Sequence, residues 1–335
     1  AAQVKVNGSV YGGGNEADVK GNTEVKIEIG KVLGSVYGGG NQGSVGTFTT
    51  ELSGKPATFT TNTGKCSVVI GGNESGKAEI GPDGMKMTNE AGPDDFGHVF
   101  GAGKGLMANP ATNPNVENMA YVYDTEVIIK KNAFVKGSVY GGSESGHVRN
   151  NTDVKIEGGQ IGQGEDEDKY EPYTDDQWES GNPSDFASCA SWEFKAPFAP
   201  YDPFAVGTTG KYKKVDSQTE AQSTKGGMLI ASDGHTYYGN VFGGGSGSIP
   251  YFDEDEGISK YLMTAGAVEG DTHVTISDGH ILTNVYGGCE TTNVKGTATI
   301  VMSGGTVGVP RTMQQIVDHP VTGYIFGAGK GDQRI

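Results

Sequence analysis

The segment TEVKIEIGKVLGSVYGGGN, Thr23 to Asn41, carries three marks that recur along the whole chain. Thr23, Val25 and Ile27 alternate with Glu24 and Lys26, the period-two pattern of a strand with one face buried. Val32 followed by Gly34 is a second, shorter apolar mark. Val36-Tyr37 followed by glycines is the third.

Outward from this segment, the ring mark recurs at Tyr11, Tyr37, Phe100, Tyr140, Phe242, Tyr286 and Phe326, each after Val or Ile and before glycine. The alternating mark recurs as Thr152-Val154-Ile156, Thr272-Val274-Ile276 and Thr297-Thr299-Val301, with looser copies at Cys66-Val68-Ile70 and Thr125-Val127-Ile129. Ile80, Val135, Ile161 and Val307, each followed by glycine, repeat the short mark. The smallest complete unit, Tyr11 to Tyr37, advances 26 residues and is too short to bury its own apolar face. The order of marks therefore predicts an all-β chain, a parallel β-helix or solenoid of about six to seven coils with long loop insertions. The 57 glycines among 335 residues, against a usual share of about 7%, are read as turns at positive φ. Residues 1–335 form one domain in this reading, a segment of a longer protein, since both ends stop inside a repeat.

The ring marks are spaced 26, 63, 40, 102, 44 and 40 residues apart, so most units carry insertions. Three, at about 82–97, 163–239 and 309–323, leave between the short mark and the next ring. The units entered after them carry Phe100, Phe242 and Phe326, whereas those entered directly carry Tyr37, Tyr140 and Tyr286. The expectation is that these insertions lie over the rings, a covered ring dispensing with a hydroxyl that would need a buried partner. Two more, about 106–124 and 249–271, follow the glycine cluster. Insertion 163–239 is either a large loop or a small subdomain. Its prolines predict ordered coil with little regular structure.

A net charge of −16 argues against nucleic acid or anionic lipid as partner, and no apolar run is long enough to span a membrane. Cys66, Cys189 and Cys289 lack zinc spacing, and Cys66 and Cys289 stand too many coils apart for a disulfide. The acidic runs Glu165–Asp168 and Asp253–Glu256 miss the calcium-loop spacing and read as solvated charge. The two GAGKG stretches at 101–105 and 327–331 lack the spacing of a phosphate loop and read as turns with a lysine at the rim. His98, His235 and His319 read as surface histidines of the first group of insertions. No catalytic residue, metal ligand or cofactor motif is singled out.

For ligand binding, Trp178, Trp192, Tyr170 and Tyr173 in the large insertion stand out, being aromatic, non-repetitive and set among acidic loops. A cluster that only packs the loop is the alternative. The repeated rings Tyr11, Tyr37, Phe100, Tyr140, Phe242, Tyr286 and Phe326 read as a packing ladder, with a platform for sugar rings as the alternative.

With V-Y-G-G-G-N at 10–15 and 36–41 and loops leaving from fixed corners, the chain resembles the adhesin-like parallel β-helix repeat proteins of bacterial cell surfaces. That resemblance covers all but insertion 163–239. It implies a secreted or surface-attached module displaying loops, chiefly 163–239 and 249–271, to glycan or protein ligands, and no enzymatic activity. A carbohydrate-active enzyme of β-helix fold and a structural stalk that self-associates end to end are the alternatives.

Overall fold

The computed structural model describes residues 4–51, 56–82, 96–162, 179–181, 192–195, 210–212, 228–231, 239–248, 250–308 and 323–331. Among them the chain is essentially all-β, with one 3-10 turn at Val116–Asn118. Its two large sheets are parallel, and each gathers one or two of the sequence marks.

Val10–Tyr11, Val36–Tyr37, Val99–Phe100, Val139–Tyr140, Val241–Phe242, Val285–Tyr286 and Ile325–Phe326 form a seven-stranded sheet in chain order. Branched residue faces branched residue and ring faces ring at every step. The eleven-stranded sheet carries the other two marks. Its long series is Thr23–Ile27, Lys65–Ile70, Asp124–Ile129, Thr152–Ile161, Thr272–Ile281 and Ala298–Met302. Its short series is Lys5–Val6, Gly30–Val32, Ala78–Ile80, Ala133–Val135 and Thr306–Val307. Thr152–Ile161 and Thr272–Ile281 run through both series, so Ile281 is a short mark that no following glycine advertises. Val and Ile of all three marks pack into one core that includes Val36, Val139, Val68, Ile129, Ile80 and Ile161. Each such side chain contributes about 1.5–3 kcal/mol on leaving water.

Inside this core the leading Thr of the long mark has a defined task. Thr23, Thr125, Thr152 and Thr272 donate their hydroxyls to the carbonyls of Gly38, Gly141, Gly243 and Gly287, at 2.6, 2.6, 2.5 and 2.6 Å. The buried carbonyls of these glycines are thus satisfied. In the last unit the pairing is Thr272 with Ala298, Val274 with Ile300 and Ile276 with Met302. The expected Thr297-Thr299-Val301 register is therefore one residue out. With a side-chain period of two, that slip turns Val301 outward, where it is half exposed.

The glycines after the rings are needed for close approach rather than for positive φ, which corrects the expectation. An ideal Cβ on Gly38, Gly141 or Gly243 would stand 2.2, 2.1 and 2.1 Å from the carbonyl oxygens of Gly101, Gly243 and Gly287, the equivalent residues of the next unit. None of these three has a left-handed φ.

Left-handed glycines stand, as expected, at turns, among them Gly30, Gly71, Gly159, Gly279 and Gly305 between the long and short marks, and they also bracket the insertions. Gly81 and Gly97, Gly162 and Gly239, and Gly308 and Gly323 all have φ between +83° and +119°. Within each pair the backbones touch: a Cβ on Gly162 would lie 2.8 Å from the Cα of Gly239, and one on Gly81 3.1 Å from that of Gly97. In units without an insertion the same two places are held by consecutive residues, Lys136-Gly137 and Leu282-Thr283. The amides of Gly239 and Thr283 bond to the carbonyls of Gly137 and Gly239 at 3.3 and 3.1 Å. Each insertion thus leaves and returns through a closed glycine neck.

A fourth ladder escaped the sequence reading. Val19, Val45, Val122, Val148, Val268 and Val294 pack with Cys66, Ala102 and Cys289 into a second core. Bridges join Val19 to Val45, Val148 to Val268 and Val268 to Val294, and Tyr121–Val122 pairs with His147–Val148. Because Val122 and Val268 belong to the repeat, the excursions placed at 106–124 and 249–271 end at 120 and 267. The antiparallel pair Phe48–Thr50 with Pro56–Phe59 is a further excursion, unexpected from sequence. In insertion 163–239, Glu179–Gly181 pairs with Gly210–Tyr212 and Trp192–Lys195 with Met228–Ala231, both antiparallel. To that extent the expected coil contains regular structure.

Candidate functional site

In the ring strands from Val10 to Val285 the Val packs into the core, so the next side chain, the ring, points to the opposite face. The seven rings stack there in one column. Their centroids lie 4.7, 5.0, 4.6, 4.9, 4.9 and 5.1 Å apart and their planes within 10° of parallel. That is the spacing of adjacent strands, imposed by the register beneath. Tyr37, Phe100, Tyr140, Phe242 and Tyr286 are buried, whereas Phe326 is 44% exposed.

Beside the rings runs a polar column, always four residues past the ring: Asn15, Asn41, Lys104, Glu144, Ser246, Glu290 and Lys330. Asn41 donates its amide to the Asn15 side-chain oxygen at 2.6 Å. Glu144 accepts the hydroxyl of Tyr37 and pairs with the Lys104 ammonium at 3.3 Å. Glu290 accepts the hydroxyls of Tyr140 and Ser246, both at 2.9 Å, and pairs with Lys330 at 3.4 Å. Both carboxylates are buried. Tyrosine at 37 and 140 thus has a carboxylate two units further on to receive its hydroxyl, and Tyr37, Tyr140 and Tyr286 are buried, not uncovered as expected, while the insertions expected over Phe100, Phe242 and Phe326 lie largely outside the described residues. Lys330, with its side chain 10% exposed, sits in the column rather than at the rim.

Tyr140→Phe keeps the stack and removes one charge-assisted hydrogen bond, while Ser246 and Lys330 still hold Glu290. We expect a loss of about 1.5–3 kcal/mol in urea unfolding. An unchanged midpoint would mean that the hydroxyl contributes nothing.

Burial pushes the Tyr37 hydroxyl well above its ordinary range, and the Glu144 charge adds to this. Burial is the chief cause that raises Tyr121 and Tyr286, helped by Glu117 and Glu51 or by Glu290, and the only one that raises Cys66 and Cys289, each to about 12. The folded chain thus holds these protons to higher pH than the unfolded chain. Their contribution to stability is intact below about pH 9 and is lost as pH rises toward 12. Absorbance at 295 nm should show a fraction of tyrosinates appearing only as the strand signal collapses. Ionisation of every tyrosine near pH 10 with the fold intact would contradict the burial.

The remaining sequence candidates fare differently. Trp178, Tyr170, Tyr173, His235, His319, Cys189 and the run Glu165–Asp168 lie outside the described residues, as does the side chain of Trp192. His98 is not a surface residue: it is buried, accepts the Ser138 amide on Nδ1 at 2.9 Å and lies 5.9 Å from the Tyr140 ring. Asp253 is not solvated either, being buried against Lys260 at 2.8 Å, an ion pair that holds its carboxyl below the usual range. Cys66 and Cys289 are free thiols. Among the described residues no group of three His, Cys, Asp or Glu is placed to hold a metal ion.

Excursions 106–120 and 250–267, from the units of Phe100 and Phe242, meet over the unit between them. Asn109 reaches Asp253 at 3.5 Å, Thr264 donates to Glu117 at 3.0 Å, and the Leu262 amide points at the Met107 sulfur at 3.4 Å. Beneath them Gly141 to Val148 are all buried.

Compared with known protein families, curated proteins and solved structures, the chain matches none.

Proposed function

We propose that the chain is a parallel β-helix that works as a binding scaffold, holding loops at fixed heights for a glycan or protein ligand at a bacterial cell surface. One observation carries this reading. Tyr140 and Phe242 are 102 residues apart, Tyr286 and Phe326 are 40 apart, and both pairs sit in the same register. A frame indifferent to loop length, entered through closed glycine necks, is suited to presenting variable loops. Six steps at strand spacing make it about 30 Å tall. The titratable side chains beside the rings are committed to one another, which suits a support better than a reaction centre.

Trp178 and Trp192 are the only tryptophans, and both lie in insertion 163–239. Titrating soluble polysaccharides and host glycans against tryptophan fluorescence, with product assays on the same samples, tests the reading. We expect a saturable shift without products. Products would replace the scaffold by an enzyme. No response to any glycan would remove glycans as the ligand.

A further inference from the structure

The lobe made by 106–120 and 250–267 has an unusual surface for an exposed excursion. Phe252, Ile258 and Met263 are 63%, 49% and 47% exposed. Phe252 and Ile258 project from opposite faces of the hairpin, opposite Ser259 and Asp253 respectively, and Leu106, Met107, Met119, Tyr251 and Leu262 of the same two stretches are half buried. Large apolar side chains left in water at this density mark contact surfaces, and methionine lets such a surface adapt to its partner.

The charges of the lobe say what kind of partner. Its two stretches contain Glu117, Asp253, Glu254, Asp255 and Glu256 against one cation, Lys260. Lys260 is already taken, 2.8 Å from Asp253 and 2.6 Å from Glu256. Glu254 and Asp255 stand exposed at the hairpin tip between Phe252 and Ile258, with no ion pair among the described residues. An acidic partner would be repelled and a purely apolar one would leave these carboxylates facing nothing, whereas Lys or Arg flanking apolar side chains satisfies both features.

We propose that this lobe docks a protein segment with apolar side chains flanked by Lys or Arg. The proposal rests on the scaffold reading and locates one contact surface on it. The probe is a fluorescein-labelled amphipathic peptide of Leu and Lys, followed by anisotropy against the full chain, with a Leu/Glu peptide of the same pattern and a Ser/Lys peptide as counterparts. Expected is saturable binding of the Leu/Lys peptide alone, weakened about tenfold by Phe252→Ser with Met263→Ser. Glu254→Gln with Asp255→Gln should weaken it several-fold and flatten its salt dependence. All four side chains are exposed, so unchanged circular dichroism and thermal midpoint should accompany both variants. Equal binding by wild type and the apolar double variant would overturn the proposal, as would binding of the Leu/Glu peptide. Concentration-dependent sedimentation abolished by Phe252→Ser would also overturn it, making the occupant a second copy. Because the probe reports on the lobe and tryptophan on insertion 163–239, a silent lobe beside a responding insertion would sink this proposal and leave the scaffold reading standing.

Discussion

Gly141→Ala is expected to cost about 3 kcal/mol, at the upper end of overpacking penalties, and to do so without removing any hydrophobic side chain of the wild type. The new methyl group would meet the Gly243 carbonyl oxygen at 2.1 Å and Val154 Cγ2 at 2.9 Å. The obstructing oxygen is backbone, fixed by the ring-strand ladder and by the Thr152 hydroxyl, so it has nowhere to yield. Gly21→Ala is the comparison, because nothing lies within 4 Å of its added carbon and its φ is not left-handed. Urea unfolding should separate the two variants clearly. A midpoint for Gly141→Ala close to that of Gly21→Ala would mean that the glycine columns of successive units do not touch.

The second large effect is expected at Glu290. Glu290→Ala removes the acceptor of two buried hydroxyls, Tyr140 and Ser246, and the counter-charge of Lys330. Breaking a buried pair from one side leaves desolvated groups behind and costs about 3–5 kcal/mol. Glu290→Gln keeps a carbonyl oxygen for one hydroxyl and should cost less. A double-mutant cycle with Tyr140→Phe isolates the hydroxyl–carboxylate coupling, and additive losses would show that the two side chains do not interact.

How much of this was legible in the sequence depended on whether a feature repeats within one unit or between units. Val36-Tyr37 and Thr23-Val25-Ile27 declare themselves, because a strand's alternation is local and the same residues return in the same order. The valine ladder has an equally regular signal, Val19, Val45, Val148 and Val294 each eight residues past a ring. Single residues between glycines do not look like strands, and in two units an excursion separates the valine from its ring. Glu144 and Glu290 were hidden for another reason. Each sits at one place four residues past the ring, but that place holds Asn, Lys, Glu and Ser in different units, so no residue type recurs. Its meaning comes from the neighbouring units, where Lys104 and Tyr37, or Lys330 and Tyr140, supply the partners. Likewise the glycines after the rings suggest positive φ when one unit is read by its own backbone, whereas the crowding that requires them comes from the next. At Ala298, where Thr is missing, the pattern points to Thr297, one residue early, since alternation fixes the period of a strand but not its phase.

Joining Gly162 directly to Gly239, with residues 163–238 removed, tests most directly whether the ladder is independent of what it carries. The new junction reproduces the two consecutive residues found at Lys136-Gly137. Amide hydrogen exchange should find Val241 and Gly243 still protected, as they are when bonded to the Asn284 and Tyr286 carbonyls, and the chain should unfold in one cooperative step. Loss of protection at those two amides, with Val139 to Gly141 exchanging alongside them, would show that the insertion holds the ladder together and that the frame is not a scaffold for its loops.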